Sequence, residues 1–546
     1  MMAKQDPSGG GFVPLSVFAD NPLYLAPENY PNGDWSERHG AYNEYWAAYK
    51  GFELSKRAGN GHANDPLVYP FKLNIIRPSV IMHAAGLLGQ YEDKIVKFGI
   101  PPSELIDKSV AKETSLAMNM LWSINNGDAS MIEAALFQQI FGGFYLQAMW
   151  TPNRKKWPIR YYVIDPRAVF PIWDGYDYSR LISVDIMHQI PKVAASARYG
   201  TISGGFVNTS SEVVNVHEHW DENEYWIEFD GKVGTWADGS KMKGKNPWYD
   251  PIMGHTIIPV SYAPRIRSGT FYGDSLIPGL TAPQRELNSS IAGLEDGLLD
   301  AMYQIPWVRN SAKGLQNIKS LTSRQDWLNL GMTNFNGDPP EVGRLNGAEI
   351  QQPMVDFVMQ DMVELIREHN GMPNVAWGRN NASVRSALVL AFMMKPYADM
   401  ARMYRINAAD ALKHHNYNAL VIAYNKQKFG DIGVKVSDAM FEAIHIGHKT
   451  YFPPILPQDR VDLVNEVVQR IASGAMSIES AISRLDGDDD LTEELERIKK
   501  QKDEEQKRAM ELGKIGAMKQ GNNNETKQTS NRKKAEGGTA AKSKEK

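Results

Sequence analysis

Cysteine is absent from all 546 residues of this chain, and its absence removes several kinds of chemistry. Disulfides, thiolate nucleophiles and cysteine-ligated metal sites are all excluded. Long apolar runs are missing too: no stretch of about 20 apolar residues occurs, so no membrane-spanning helix is expected. The opening residues, MMAKQDPSGGGF, lack the apolar core of a secretory signal.

A strongly basic domain is also missing, because the formal net charge is −4. Proteins that grip DNA through its phosphates usually carry such a domain. The one basic segment is 514–546, with nine Lys and Arg against three Glu, a net of +6. Its composition predicts a disordered tail. Contact between DNA and the rest of the chain is therefore expected to be loose or confined to a few positions.

Three short motifs resemble known sites but depart from them. The segment GSKMKGKN at 239–246 resembles a phosphate-binding P-loop, but it lacks the final Ser/Thr and predicts a turn between strands. His217 and His219 share a strand face without a third metal ligand at a suitable spacing. The acidic run 486–490 lacks the EF-hand glycine and final carboxylate and predicts a solvated linker. We expect no metal, no cofactor and no catalytic residue, and hence no enzyme.

The N-terminal half predicts helices followed by strands. A helix at 37–52 carries aromatic residues on one side, which either dock onto a neighbouring molecule or join the first core. Helices are predicted from Asn74 to Tyr91, at 111–124 and at 131–141, the last with Asp128 as its N-cap. The pair Gly142-Gly143 ends that helix, and a strand follows at 144–150. Further strands are predicted at 159–164, 168–173, 181–189, 212–220, 224–230 and 256–262, with a helix at 192–199.

Two apolar seams with helical spacing bracket a turn-rich insert. The first helix spans 283–302, with Leu287, Ile291, Leu294 and Leu298 on one face. The second seam contains Val355, Val358, Met362, Leu365 and Ile366. Together they predict a two-helix stalk with a small knob at its end.

A loop of turn-forming residues follows the second helix, and a much longer helix follows the loop. The long helix is predicted over 384–426, and Pro396 is expected to bend or break it because proline removes a backbone hydrogen bond. Later helices are predicted at 458–472, 477–485 and 492–512.

This order of segments resembles the portal, or head-to-tail connector, proteins of tailed bacteriophages. The similarity rests on the helix-to-strand step at Gly142-Gly143 and on a strand that ends in a proline before an acidic turn, with Ile164-Asp165-Pro166 and Val169-Phe170-Pro171 before Trp173-Asp174. It rests also on Gly273-Asp274-Ser275, with Gln284 and Asn288, which resemble the entry to the first stem helix. Ser386-Ala387-Leu388 lies where the family begins its long wing helix. Many relatives have glycine where Arg385 follows Ser383-Val384, so the packing at that helix start departs from the family pattern.

The resemblance implies an α+β, portal-like subunit with a wing, a two-helix stem, a clip insert, a long kinked helix and a helical crown. The implied segments are an N-terminal arm (1–65), wing (66–271), first stem helix (272–305), clip (306–352), second stem helix (353–370), tunnel loop (371–383), long kinked wing helix and its return (384–456), crown helices (457–512) and basic tail (513–546).

It also implies a homo-oligomeric ring of about twelve copies around an axial channel. Double-stranded DNA would be packaged and ejected through this channel at one capsid vertex of the virion, after assembly in the host cytoplasm. Implied partners are terminase, head-completion (adaptor) proteins, and the major capsid and scaffolding proteins; a membrane is not among them. The alternatives are another virion structural protein, from the capsid or tail, and a DNA-processing enzyme subunit.

The loop and the stem supply the candidate site residues. We expect the loop side chains to approach DNA, with packing against the next subunit as the alternative; they are Asn374, Trp377, Arg379, Asn380 and Asn381. Acidic side chains lining the channel would repel phosphates and prevent sticking. The stem candidates are Glu286, Glu295, Asp361, Glu364 and Glu368.

Overall fold

The computed structural model describes most of the chain between residues 35 and 476. The described ranges are 35–51, 73–89, 95–101, 103, 105–151, 156–178, 180–199, 213–236, 239–302, 305–309, 341–345, 352–379, 387–427, 436–455 and 460–476, with isolated positions beyond 480. The predicted acidic run, the basic tail and nearly all of the last two predicted helices lie outside these residues. The predicted α+β class is confirmed.

The chain divides into two compact units, Met1–Leu456 and Pro457–Lys546. In the second unit, the helix predicted at 458–472 is confirmed as a helix over Arg460–Ala472. All other elements described here belong to the first unit.

Four helices form the N-terminal part of the first unit. They are α1 (Trp35–Lys50), α2 (Ile76–Leu88), α3 (Lys108–Ile124) and α4 (Gly127–Phe141). The predicted N-cap of α4 was wrong, because Asn126 in the left-handed region occupies the cap position. Asp128 instead accepts hydrogen bonds from Trp122 Nε1 at 2.9 Å and Val96 N at 3.3 Å. Its carboxylate therefore ties α4 to neighbouring segments.

Helix α1 joins the chain's own core. Tyr42 and Tyr49 are buried in the main hydrophobic cluster, and Tyr42 packs edge-on against Phe141 of α4. Of the two readings of this helix, the one that assigns it to the first core is observed.

A three-stranded antiparallel sheet lies behind these helices, in the order β10 (Val260–Pro264), β2 (Gly143–Trp150), β3 (Ile159–Ile164). Strand β2 is central and almost wholly buried. The predicted strand at 256–262 was shifted toward the N-terminus, because only residues from Val260 onward pair with β2. The end of α4 packs tightly here: a Cβ on Gly142 would lie 2.0 Å from the carbonyl oxygen of Gly273.

A second antiparallel sheet has six strands, five in the order β4-β5-β6-β7-β8 with β9 paired to β7. Their bounds are β4 (Val169–Trp173), β5 (Leu181–Pro191), β6 (Val213–Asp221), β7 (Glu224–Phe229), β8 (Lys232–Val233) and β9 (Lys243–Lys245). The helix predicted after β5 is confirmed as α5 (Lys192–Tyr199). In the P-loop-like segment, the predicted turn is confined to its first residues, around Gly239, and Lys243–Lys245 form the strand β9, which was not predicted.

The C-terminal part of the first unit begins with α6 (Pro278–Met302), which leads into β11 (Ile305–Arg309). Strand β12 (Glu341–Leu345) pairs antiparallel with β11. The chain then returns through α7 (Gln352–Asp356), a π-helical turn (Phe357–Asp361) and α8 (Met362–His369). Both helices predicted from the apolar seams are thus confirmed.

The long helix is confirmed as α9 (Ala387–Asn425). Pro396 was expected to bend or break this helix; a break is not observed, since helical structure continues through this position. Two further elements follow, α10 (Asp438–Gly447) and β13 (Lys449–Tyr451). Strand β13 pairs with β1 (Lys97–Gly99), so the end of the unit returns to its beginning.

Candidate functional site

The two-helix finger, defined here as α6 together with residues Gln352–His369, is the most distinctive part of the molecule. Its two arms run antiparallel: a Cβ on Gly279, near the start of α6, would lie 3.7 Å from Nε2 of His369 at the end of α8. A helix as long as α6 spans about 37 Å. Apolar residues of both arms fill the space between them. The buried members are Leu287, Ile291, Val358, Val363 and Ile366.

Polar side chains fix the base of the finger to α2. Gln284 of α6 accepts a hydrogen bond from Ile75 N at 2.7 Å and donates one to Leu73 O at 2.8 Å. Asn288, one turn further along α6, accepts from Leu73 N at 3.3 Å. These bonds satisfy backbone groups just before α2. Gln284 and Asn288, which the resemblance to portal proteins places at the entry to the first stem helix, therefore attach the finger to the core.

The acidic stem candidates fall into two groups. Glu286, Asp361 and Glu368 are exposed. Glu364 is half-buried and accepts a hydrogen bond from Asn374, so it is committed within the chain. Glu295 is also half-buried, and its Oε2 is buried without a hydrogen-bond partner among the described residues.

The loop after α8 has a defined fold over residues 370–379. Gly371 and Gly378 have φ values of 73° and 71°, a region that disfavours other residues. Between them Asn374–Trp377 forms a short 3₁₀ helix. The backbone N–H of Arg379 closes the loop by donating to Asn374 O at 3.1 Å.

Three loop candidates, Asn374, Trp377 and Arg379, are described, and the structure brings them together beside α8 at the base of the finger. The guanidinium carbon of Arg367 lies 4.9 Å from the centre of the Trp377 ring, a cation–π arrangement. Burial lowers the pKa of Arg367 and the nearby charge of Arg379 lowers it further, whereas Glu364 raises it. The other two candidates, Asn380 and Asn381, lie outside the described residues.

Sequence reasoning missed Arg367. It lies on α8, outside the loop, and a single arginine on a helix carries no local signal. Its Nε and Nη1, like Trp377 Nε1, are buried without an acceptor among the described residues. The loop thus presents two arginines and an indole beside one committed glutamate.

Large apolar side chains lie exposed on the finger and on the first half of α9. Phe357 is 53% exposed and Leu365 is 59% exposed, although Leu365 was expected in the apolar seam. On α9, Phe392 and Ile406 are 64% and 63% exposed. Exposed apolar residues grouped on one region commonly mark protein interfaces.

A cleft of about 350 Å³ lies beside the six-stranded sheet, between α9 and the turns that flank β5 and β7. Its charged groups are largely paired with one another. Arg180 bonds to Glu222 at 2.7 Å, and Tyr417 donates to Asp250 at 2.7 Å. His414 lies 3.8 Å from Asp410.

His217 and His219 are confirmed on one strand face, and both contact a single carboxylate. Their ring nitrogens lie 2.8 and 2.9 Å from the same Oδ1 of Asp185. Among the described residues, no group of three or more ligating side chains is arranged to hold a metal ion. Within the same ranges, no helix combines the length and apolar composition that crossing a membrane requires.

The chain matches no protein-family model, and no curated protein matches its sequence.

Proposed function

We propose that this chain is a viral portal protein that assembles into a ring and forms the channel through which double-stranded DNA enters and leaves a capsid. The ring would hold about twelve copies. It would dock terminase during packaging and head-completion proteins afterwards, surrounded by capsid and scaffolding proteins. The observation that carries the proposal is the two-helix finger, whose inner face is packed while its outer face exposes large apolar side chains.

Within the part of the chain that the structure describes, the outer face of the finger keeps large apolar side chains exposed. Phe357 and Leu365 are 53% and 59% exposed, so a surface that covers the exposed part of each would contribute about half of the ~1.5 to 3 kcal/mol expected for complete burial. Copies placed side by side around an axis cover the same patch on every finger. Closed rings are the usual outcome of such head-to-tail contacts when the rotation closes.

Exposed acidic residues on the finger fit a channel that DNA slides through. Glu286, Asp361 and Glu368 would repeat around the ring and repel phosphates. Arg379, beside Arg367, would provide one limited point of contact at the loop. A few such contacts keep affinity low, because each neutralised phosphate adds to the binding free energy.

Native mass spectrometry with negative-stain imaging of the purified full-length chain tests the assembly. Rings with a central hole are expected. A chain that stays monomeric or dimeric at micromolar concentration, with and without scaffolding protein, would contradict the proposal. Filaments or closed shells would favour the alternative of a different virion structural protein.

The DNA contact is tested separately with Arg379→Ala in a packaging assay. We expect rings of normal size that retain less packaged DNA. Arg402→Ala is the matched control, because Arg402 is an exposed arginine on α9 that pairs with Asp399 of the same helix, at 3.6 Å. Equal DNA retention in the two variants would contradict the proposal that Arg379 contacts DNA in the channel.

A further inference from the structure

His83 of α2 lies at the centre of a buried polar network that reaches the start of the loop. The side chain is fully buried. Its Nε2 is 3.1 Å from both the backbone oxygen and the Oδ1 of Asn370, the residue that ends α8. Its Nδ1 is 3.4 Å from the hydroxyl of Tyr404 on α9.

The partners fix the direction of every hydrogen bond. The carbonyl of Asn370 can only accept, so Nε2 of His83 carries the hydrogen. Arg265 can only donate, and its Nη2 lies 2.9 Å from the Tyr404 oxygen. The hydroxyl hydrogen of Tyr404 is therefore directed to Nδ1 of His83. The bonds run in one direction, from Arg265 through Tyr404 and His83 to Asn370.

At its Arg265 end, this relay is anchored in the core. Arg265 Nε donates to Gln139 Oε1 of α4 at 2.8 Å, and both side chains are buried. Helices α2 and α9 have no free space between them, since a Cβ on Gly86 would lie 2.3 Å from the Tyr397 hydroxyl. His83 is thus held in place from two sides.

At the Asn370 end of the relay, the chain changes direction. Asn370 is followed by Gly371 in the left-handed region and by Met372, which is buried. The last carbonyls of a helix have no partner within it and need one elsewhere. His83 supplies that partner for Asn370, at the residue from which the loop departs.

We propose that His83 is a positioning residue for the loop at 371–379, holding the carbonyl of Asn370, from which the loop departs, through the relay that begins at Arg265. The contacts stand without reference to DNA, whereas their consequence for packaging rests on the proposed function. Side chains far from the channel would in this way set where Trp377 and Arg379 lie.

Hydrogen exchange of the full-length chain tests this proposal. His83→Phe removes both nitrogens, and amide exchange in peptides covering 371–379 is expected to accelerate about tenfold, the effect of losing one buried hydrogen bond. His83→Gln can still donate to Asn370 and should restore much of the protection. Acceleration at the loop that merely matches the loss of whole-chain stability, with no rescue by glutamine, would overturn the proposal.

Tyr404→Phe tests the relay if His83→Phe does not fold, since it removes only a hydroxyl. Tyr397→Phe is the matched control, because its hydroxyl donates to Met82 O between the same two helices but outside the relay. Faster loop exchange in Tyr404→Phe alone supports the relay, and equal exchange in both overturns it. Faster loop exchange with unchanged DNA retention would support the relay and contradict the DNA role of the loop.

Discussion

Glu218 in the six-stranded sheet and Arg367 in the finger are both charged groups drawn away from solvent, but their surroundings differ. Glu218 is fully buried and has hydrogen-bond donors in Gln147, Arg198 and Tyr199. Arg367 has two buried nitrogens without an acceptor among the described residues.

The apolar side chains of the six-stranded sheet and of the finger differ in the same way. In the sheet, Trp220 stacks on Tyr225 of the next strand with ring centres 5.0 Å apart. On the finger, Phe357 and Leu365 face outward. Among the described residues, Glu218 and Trp220 have partners beside them, whereas the finger leaves Arg367 without an acceptor for two nitrogens and leaves two large apolar side chains exposed. The finger is therefore the region where we expect an interface.

Acid is expected to have the largest effect, and it acts on the stability of the whole first unit. Burial lowers the pKa of His39, His83, His188 and His448 to about 4 and that of His415 to about 3. The unfolded chain binds protons near the ordinary value of 6.5, so stability is present above that pH and is lost as pH falls toward 4. One pKa unit corresponds to about 1.4 kcal/mol, so five such groups outweigh any single substitution.

Urea denaturation followed from pH 7 to pH 5 checks this expectation, and the midpoint should fall steadily. The contribution of His219, which is paired with Asp185, to stability depends on pH in the opposite direction. The pKa of His219 is raised by Asp185 and Asp221 despite burial, so its contribution is lost as pH rises through that pKa. A flat profile between pH 7 and pH 5 would contradict the role of the five buried histidines.

Glu218→Gln is the next largest expected change. It leaves the buried Arg198 guanidinium without a counter-charge, and breaking a buried pair in this way costs about 3 to 5 kcal/mol. The free energy of unfolding from urea titration measures it. Glu222→Gln is the control, because the Arg180–Glu222 pair is exposed and pairs of that kind contribute about 0 to 1 kcal/mol. Equal losses in the two variants would mean that burial of Glu218 has no consequence.

How much of this comparison could be read from the sequence depends on how local the signal is. The apolar residues of each seam, which include Leu287 in one and Val358 in the other, repeat within a single helix. Both finger helices could therefore be predicted. The pairing of Lys97–Gly99 with Lys449–Tyr451 was not, because two three-residue strands far apart in sequence leave no pattern.

The site was predicted less completely than the fold. Asp361 and Glu364 look equivalent in sequence, yet Glu364 is used internally because the loop folds back and places Asn374 against it. Arg367 was missed for a related reason, since its stacking on Trp377 depends on where the loop ends. Such contacts depend on tertiary geometry and not on spacing along the chain.

Trp377→Ala tests the finger with a smaller change in stability. Loss of the stacking with Arg367 should cost about 0.5 to 1 kcal/mol, the range for exposed cation–π pairs. Urea denaturation measures this loss, and protease cleavage within the loop should increase. Trp236→Ala is a control at a half-buried tryptophan between β8 and β9, where cleavage within the loop at 371–379 should not change. Cleavage that rises equally in both variants would argue against a local effect.

Leu365→Glu is expected to change monomer stability least, within about 0.5 kcal/mol, because exposed positions tolerate substitution. Ring assembly should nevertheless be lost, since a charge would occupy the proposed contact. Native mass spectrometry measures it, with Leu105→Glu as the matched control at a leucine that is 77% exposed away from the finger. Intact rings from Leu365→Glu would place the subunit contact elsewhere.

The π-helical turn at Phe357–Asp361 gives the finger a particular dependence on chain length. A π turn accommodates one residue more than an α-helical turn does. Deleting a single residue there would restore regular α-helix and rotate α7 relative to α8 by about 100°. Met354, now 57% exposed, would leave the outer face, while Leu365 would stay on it. A single residue in this turn thus sets how α7 is rotated relative to α8 about the helix axis.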